Sequence, residues 1–247
     1  MIFAAGLGTR LRPLTDTMPK ALVPVAGKPL LWHVVMKLRN DGFERIVVNV
    51  HHFAQQIVDY VEQNQHFGLD IRFSDETGQL LETGGGIKNA LPLFSTDSPI
   101  LIHNVDILSN ADLTALYNTA SHSQADALLL VSQRTTQRYL LFDNDMRMKG
   151  WINTATGQMR PDDCSEGMST SSYIQRAFSG IHVLRPTLFP LLMSMPQRFA
   201  IMDFYIDHCR SHSLIGIDSP GLQLLDVGKA DTLKQAADFL TLMVPKA

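Results

Sequence analysis

The chain has 247 residues, and its 21 lysines and arginines against 24 aspartates and glutamates give a formal net charge of -3 at pH 7. This balance excludes the domain-wide basic surplus of a nucleic-acid-binding protein, and no apolar run reaches the ~20 residues that a membrane span requires. The two cysteines, Cys164 and Cys209, lie far apart and outside any Cys-x-x-Cys pair, so we expect no disulfide framework and a reducing, cytoplasmic compartment.

Strand and helix patterns alternate through the first half of the chain. A short apolar run at 2–5 predicts a buried strand, and leucines and valines at helical spacing over 30–38 predict a helix. Further strands are predicted at 45–50, 70–76 and 99–108, with helices at 54–63 and from about Thr83 between them. This alternation predicts an α/β fold with a doubly wound, mostly parallel sheet.

After about residue 125 strand patterns dominate, and Asp143-Asn144-Asp145 predicts a hairpin turn. The polar stretch 155–175 predicts a loop, and helices are predicted at 202–212 and 230–243, on either side of a strand at 222–228. We find no repeat, low-complexity tract or linker, so the chain is expected to form one continuous domain over 1–247 with a lid-like second half.

A glycine turn with nearby cations follows the first predicted strand. Gly6-Leu7-Gly8 would let backbone amides approach phosphate oxygens, although the same pattern is as typical of a tight turn. A dinucleotide fingerprint would have glycine where Leu11 stands, and no Gly-Lys-Ser/Thr follows. Arg10 and Lys20 favour the phosphate interpretation, because a triphosphate needs several cations around it.

The stretch AAGLGTRLRPLTDTMPKALVPVAGKPL at 4–30 closely resembles the signature of the sugar nucleotidyltransferases (NDP-sugar pyrophosphorylases), G-x-G-T-R-[LM]-x-P-L-T followed by P-K-[PA]-L-[VL]-P. The resemblance implies that the glycine loop wraps a nucleoside triphosphate, that Arg10 holds the departing pyrophosphate and that Lys20 contacts the α-phosphate. It leaves Arg12 and Lys28 without a role. The loop residues that it implies in substrate binding are Ala5, Gly6, Gly8 and Thr9.

The same resemblance implies a Rossmann-like, glycosyltransferase-A-like fold with a smaller sugar-binding subregion. We accordingly expect a nucleotide-binding part at about 1–122, a sugar-binding part at about 123–228 and a C-terminal helix at 229–247.

A second glycine-rich stretch, LETGGGIKNAL at 81–91, permits two interpretations. Its glycines could form a flexible helix start, or they could let a planar base lie against the backbone. The segment LETGGGI resembles the base-contacting loop of N-acetylmuramate-1-phosphate uridylyltransferases and, less closely, that of mannose-1-phosphate guanylyltransferases. This resemblance favours uridine and implies base contacts from Glu82, Gly84 and Gly85.

Two aspartates are candidate metal ligands. Asp106 ends the apolar run LIHNVD, where open α/β sheets bind ligands, although it could also cap the next helix. Asp226 lies in LLDVGK, which resembles the family's W-x-D-V-G-T; Leu224 and Lys229 depart from that pattern, and by itself Asp226 is typical of a turn. The resemblance implies that Asp106 and Asp226 bind Mg²⁺ as cofactor, with phosphate oxygens and water completing its shell.

The sugar side is less well defined. FSGIHVL resembles the family strand that lines the sugar pocket, which makes Gly180 a position of close approach. Asn104 and Asp203 are further candidate substrate contacts, although Asp203 could simply begin a helix. The family's Glu-Lys-Pro sugar-phosphate motif is absent, which leaves Lys149 and Arg176 as candidates for that role.

These features together predict a Mg²⁺-dependent nucleotidyltransferase that joins UTP to a sugar 1-phosphate and releases pyrophosphate. Guanylyl or thymidylyl transfer remains an alternative. A glycosyltransferase of related architecture would have Asp-x-Asp where this chain has Asn104-Val105-Asp106, and it would not use Arg10 and Lys20. A non-catalytic nucleotide-sugar sensor would be favoured if one of the metal or phosphate positions were lost. The sequence leaves the oligomeric state open.

Overall fold

The computed structural model describes residues 1–161 and 172–243. Within these ranges the α-helices are, in chain order, α1 (Leu30–Asn40), α2 (Ala54–Gln63), α3 (Glu82–Ala90), α4 (Leu113–His122), α5 (Phe189–Ser194), α6 (Ile201–His208) and α7 (Ala230–Met243). The strands are β1 (Ile2–Phe3), β2 (Pro24–Val25), β3 (Lys28–Pro29), β4 (Arg45–Val50), β5 (Asp70–Asp75), β6 (Ile100–Asn104), β7 (Ile107–Ser109), β8 (Ala127–Ser132), β9 (Arg138–Phe142), β10 (Met148–Asn153), β11 (Gln158–Arg160), β12 (Ile174–Leu184), β13 (Leu214–Asp218) and β14 (Leu224–Asp226).

A ten-stranded sheet runs through both halves of the described chain, and its first part is parallel. Strands β5, β4, β1 and β6 lie side by side in that order, with Ile2 paired to Val48 on one side and to His103 on the other. Ile2 and Val48 are fully buried because helices cover both faces, which is why these strands are continuous apolar runs. The doubly wound α/β prediction is confirmed.

The helices divide between the two faces of the sheet. Helices α1, α2, α4 and α7 contribute to one apolar cluster, and α3, α5 and α6 contribute to the other. None of the described helices has both the length and the apolar character that crossing a bilayer demands.

The second part of the sheet is mostly antiparallel and is organised around β12, although β13 pairs parallel with β8. This strand pairs antiparallel with β6, β8 and β9, while β9, β10 and β11 form successive antiparallel pairs. Asp143 closes the β9–β10 turn by accepting hydrogen bonds from the amides of Asp145 and Arg147, which confirms the predicted hairpin. The stretch 155–175 is not only a loop, because it contains β11 and the start of β12; residues 162–171 lie outside the described ranges.

A small two-stranded ribbon lies beside the main sheet and brings the end of the chain to β6. The predicted strand 99–108 is broken at Val105-Asp106, and β7 continues after the break. Strand β14 pairs antiparallel with β7, so that Asp226 faces Ile107, and the Val227 amide donates to the Asp106 carbonyl at 2.8 Å. Both predicted metal ligands therefore lie at the carboxyl end of β6.

Candidate active site

A cavity of about 420 Å³ opens at the carboxyl ends of β1 and β6. This is the edge where open α/β sheets bind ligands, and the volume is in the range of small-molecule sites. The candidate residues that line it are Ala5, Gly6, Lys20, Glu82, Asn104 and Asp106. The structure thus brings together the first glycine loop, the start of α3 and the end of β6.

The glycine loop is folded back towards Lys20. Gly8 adopts a φ of 65°, and a Cβ placed there would lie 2.8 Å from Thr15 Cγ2 and 3.0 Å from Lys20 Cβ. The Thr15 hydroxyl donates to the Gly8 carbonyl at 2.8 Å. At Gly6, by contrast, a Cβ would meet none of the described atoms within 4 Å, so the space over this residue is open to a ligand. Thr9 and Arg10 follow in an exposed turn.

Lys20 and Asp106 form an ion pair at the edge of the cavity. The Lys20 ammonium donates to Asp106 Oδ2, and the two side chains are only 12% and 13% exposed. The lysine enters from a short turn after Pro19, whereas the aspartate follows β6. Because little water reaches the pair, charges on a bound ligand would interact with it more strongly than at an open surface.

Arg10, Asp106 and Asp226 meet around Gly228. A Cβ placed on Gly228 would lie 2.8 Å from Arg10 Nη2, 2.8 Å from Asp226 Oδ1 and 3.1 Å from Asp106 Oδ2. The two carboxylate oxygens are therefore no more than 5.9 Å apart, since 2.8 and 3.1 Å separate them from the same point. The Gly228 amide also donates to Asp226 Oδ1 at 2.8 Å, which fixes this carboxylate.

The pair of carboxylates fits a hard divalent cation. Carboxylate oxygens are the ligands that Mg²⁺ prefers, and an ion bound by one or two of them usually keeps water and substrate phosphate as its other ligands. Among the residues that the structure describes, no third histidine, cysteine, aspartate or glutamate completes an all-protein metal site. The donor set at Asp106 and Asp226 thus suits a cation that arrives with a polyphosphate.

The glycines of α3 have a packing role that the sequence did not reveal. The amides of Gly84 and Gly85 both donate to the Phe199 carbonyl, at 2.8 and 3.1 Å. A Cβ would lie 2.2 Å from the Phe199 ring at Gly84, and 2.2 Å from the Gln197 carbonyl at Gly85. Both glycines are buried against this segment, and their amides already donate to the Phe199 carbonyl. Of the three predicted base contacts, Glu82 lines the cavity and the two glycines do not.

Helix α3 begins at Glu82, which agrees with the start predicted near Thr83. Glu82 has a φ of 63°. Its carboxylate accepts from Arg198 at 2.8 Å. Glu82 and Thr83 both line the cavity, so this end of the helix is the part of the second glycine-rich stretch that a ligand in the cavity can reach.

On the sugar side, Gly180 and Asp203 contact other protein groups. Gly180 has a φ of 73°, and a Cβ there would lie 2.8 Å from Asn104 Nδ2, so the close approach at this position is made by Asn104. Asn104 itself lines the cavity. Asp203 lies in the first turn of α6, outside the cavity lining, and accepts from Arg160 at 2.5 Å.

The two candidate cations for the sugar phosphate have carboxylate partners. Lys149 pairs with Asp143 at 3.0 Å, and Arg176 pairs with Asp218 at 2.7 Å. Neither cation lines the cavity at the end of β6. The structure therefore favours neither of them as the group that holds the sugar phosphate.

Sequence reasoning missed Asn49 and Glu76, which also line the cavity. Asn49 accepts from the Ala4 amide at 2.7 Å and donates to Glu76 Oε1 at 2.7 Å. Burial raises the pKa of the Glu76 carboxyl, against the opposing effect of its hydrogen bonds. The available signal was weak: one asparagine in the apolar run RIVVNV and one glutamate directly after β5.

Comparison with known proteins places the chain in a family. Residues 1–140 match the family model described as nucleotidyl transferase. An N-acetylmuramate alpha-1-phosphate uridylyltransferase of Neisseria meningitidis is 48% identical over 49% of this chain and 52% of that protein. One of the same description from Caulobacter vibrioides is 35% identical over 76% of this chain and 75% of that protein. The matched region thus spans about half of one relative and three quarters of the other.

Solved structures give the same result for the fold. HddC from Yersinia pseudotuberculosis, in complex with GMP-PN, superposes with a TM-score of 0.75 over 97% of both chains at 21% identity. At that identity the likeness bears on the fold alone. The family match and the two relatives show that the chain belongs to the nucleotidyl transferase family, among the sugar-1-phosphate nucleotidyltransferases.

Proposed function

We propose that this protein transfers a nucleotidyl group from a nucleoside triphosphate to a sugar 1-phosphate. UTP is the favoured nucleotide and N-acetylmuramate 1-phosphate the favoured acceptor. The observation that carries the proposal is the meeting of Arg10, Lys20, Asp106 and Asp226 at the carboxyl end of β6, next to a cavity of nucleotide-binding size. Two cations and two carboxylates at one sheet edge suit a triphosphate and its divalent counter-ion.

The reaction needs positioning more than proton transfer. An oxygen of the sugar phosphate attacks the α-phosphorus of UTP, the bond from that phosphorus to the bridging oxygen breaks, and pyrophosphate leaves with the electron pair. The attacking phosphate has a second pKa near ~6 and is already mostly dianionic at neutral pH, so no general base is required. The protein has to align the two phosphates and neutralise the charge.

The residues divide this work between them. Lys20, held at the cavity edge by Asp106, would contact the α-phosphate, and Arg10, beside Gly228, would hold the departing pyrophosphate. Asp106 and Asp226 would hold Mg²⁺, which supplies charge neutralisation on the phosphate oxygens. A guanidinium suits pyrophosphate because it can donate two parallel hydrogen bonds.

The choice of UTP and of the acceptor rests on two supports. The segment LETGGGI resembles the base loop of N-acetylmuramate-1-phosphate uridylyltransferases, and the Neisseria and Caulobacter relatives carry that description. Other relatives are described as mannose-1-phosphate guanylyltransferases, which makes GTP and mannose 1-phosphate the necessary comparison.

A pyrophosphate-release assay tests the proposal. The purified chain would be given UTP, dTTP or GTP with N-acetylmuramate, N-acetylglucosamine, glucose or mannose 1-phosphate, with Mg²⁺ present. We expect the highest kcat/KM for UTP with N-acetylmuramate 1-phosphate. Release of pyrophosphate from no combination would overturn nucleotidyl transfer, whereas a preference for GTP or dTTP would overturn only the choice of base.

A further inference from the structure

Two buried polar side chains, Asn49 and Glu76, lie behind the nucleotide cavity and bond to each other. Their residues are 3% and 2% exposed. Asn49 lies near the end of β4, and Glu76 directly follows β5. The hydrogen bond between them therefore links two neighbouring parallel strands at their carboxyl ends. The Asn49 Nδ2 group donates to Glu76 Oε1 at 2.7 Å.

Each partner also holds a different ligand loop. Asn49 Oδ1 accepts from the amides of Ala4 and Ala5, at 2.7 and 3.3 Å, immediately before the glycine loop. Glu76 Oε2 accepts from the Leu81 amide at 3.1 Å, immediately before the start of α3. One continuous chain of hydrogen bonds thus runs from the phosphate side of the cavity to the base side.

Gly86, the third glycine of α3, packs directly against this pair. A Cβ on Gly86 would lie 2.7 Å from Glu76 Oε1 and 3.1 Å from Asn49 Nδ2. The helix can therefore close over the pair only because residue 86 has no side chain. This packing accounts for the glycine at position 86, where an added Cβ would meet Glu76 and Asn49 first, whereas at Gly84 and Gly85 it would meet the segment 197–199.

A carboxyl group at this depth is costly for folding. Removing a carboxylate from water disfavours its charged form, which is why the pKa of Glu76 is raised. Apolar residues of similar volume commonly fill such positions without that cost. What Glu76 adds is two acceptor oxygens at one point, which can join two donors from different segments.

We propose that Asn49 and Glu76 are positioning residues that fix the glycine loop and the start of α3 relative to each other, so that phosphate and base are bound in one geometry. The inference rests on the proposed function for its substrate, a nucleoside triphosphate. Its effect belongs to nucleotide binding and not to the sugar phosphate, because both held segments line the nucleotide cavity.

Exchange of the two groups gives a direct test. In Glu76→Gln one acceptor oxygen becomes an NH2 donor that faces either Asn49 Nδ2 or the Leu81 amide, so one of these two bonds must break in either orientation. In Asn49→Asp two carboxylate oxygens face each other. The double variant Asn49→Asp/Glu76→Gln restores every bond and reverses only the one between positions 49 and 76. The new carboxylate at 49 accepts from the Ala4 and Ala5 amides and from the new side-chain amide at 76. The oxygen of that side-chain amide accepts from the Leu81 amide.

We expect each single variant to raise the Kd for UTP, measured by calorimetry, about tenfold, as for the loss of a buried hydrogen bond to a charged group. The KM for the sugar 1-phosphate should stay within about twofold, and the double variant should recover most of the UTP affinity. Glu62→Gln, at an exposed position of α2, is the matched control. Wild-type UTP affinity in folded Glu76→Gln would overturn the proposal, as would a folded double variant that binds no better than the weaker single one.

Hydrogen exchange separates this inference from the proposed function. Glu76→Gln should speed exchange at the Leu81 amide, which it contacts, and also at the Ala4 and Ala5 amides, which it reaches only through Asn49. This result is expected even if the wild-type protein releases no pyrophosphate. Unchanged exchange at Ala4 and Ala5 would show that the two loops are held independently, and the proposal would fail while nucleotidyl transfer stood. If a single variant does not fold, the same exchange measurement on the double variant decides, because native protection at all three amides is expected there.

Discussion

The Lys20 ammonium and the Asp106 carboxylate form an ion pair that joins the loop after β1 to the end of β6. Neither side chain is more than 13% exposed. The pair places one positive and one negative group at the cavity where a triphosphate and its counter-ion would both be needed. Lys20→Ala, Asp226→Asn and Gly228→Ala test this description of the site.

Replacing Lys20 tests its proposed contact with the α-phosphate. We expect Lys20→Ala to lower kcat at least about a hundredfold, because a pre-positioned charge would be lost where negative charge develops. The far-ultraviolet circular dichroism spectrum should be unchanged. Lys28→Ala is the matched control, since Lys28 is exposed and lies 5.6 Å from the centroid of the Trp32 ring. A kcat within threefold of the wild type in Lys20→Ala would remove the residue from the mechanism.

The proposed roles of Asp106 and Asp226 can be tested through the expected requirement for Mg²⁺. We expect a chelator to stop turnover, and Asp226→Asn to raise the Mg²⁺ concentration for half-maximal activity, because the amide keeps the shape of the carboxylate but not its charge. Asp16→Asn serves as control, as Asp16 is exposed and pairs with Arg12 at 3.2 Å. Full activity in the presence of the chelator contradicts the metal assignment.

Gly228→Ala tests the meeting point of the three charged groups. The added methyl group would fall 2.8 Å from both Arg10 Nη2 and Asp226 Oδ1. Since these are ends of side chains, they can shift without unfolding the protein, and we expect kcat to fall about ten- to a hundredfold through their displacement. Gly78→Ala is the control, because a Cβ there meets none of the described atoms within 4 Å. An unaffected rate would mean that Arg10 is not needed where the structure places it.

Acid sensitivity of the fold should depend on His182. Burial lowers its pKa from 6.5 to about 3, and its Nδ1 lies 2.5 Å from the Tyr205 hydroxyl oxygen. Between these pH values the unfolded chain binds a proton at this ring that the folded protein does not, so the free energy of unfolding falls as the pH falls. We expect His182 to contribute about 1.4 kcal/mol per pH unit to that slope.

Denaturant titrations between pH 6 and 4 would measure this contribution. His182→Gln should flatten the dependence of the unfolding free energy on pH, whatever it does to the stability at pH 7. His122→Gln changes an exposed ring of α4 and is the control. The same slope in His182→Gln and the wild type would mean that this ring is not buried in its neutral form.

The sequence indicated which candidate residues lie near the cavity better than it indicated their contacts. Asp106 could be placed because a polar residue ends an apolar run, and Arg10 and Lys20 because they keep the spacing of a known signature. The ion pair between Lys20 and Asp106 could not be predicted, because it depends on how the loop after β1 folds over the end of β6.

The glycines show a different limit. A helix that packs tightly on Phe199 and a loop that accepts a planar base both require residues without a Cβ, so Gly84 fits either interpretation equally. Asn49 and Glu76 could not be predicted as a pair, because a single polar residue in or directly after an apolar strand does not reveal its partner. The loss of helix patterns after residue 125 indicated more strands but not their mostly antiparallel direction, since strand direction depends on the connections.

The pairing of β7 with β14 bears on the order in which the protein folds. The ribbon closes a stretch of chain from Ser109 to Leu224, more than a hundred residues, and closing so long a loop costs conformational entropy before the contact stabilises the fold. We therefore expect Asp226 and Gly228 to reach Asp106 and Arg10 late in folding, and a partly folded chain to lack the complete site even where its glycine loop has formed.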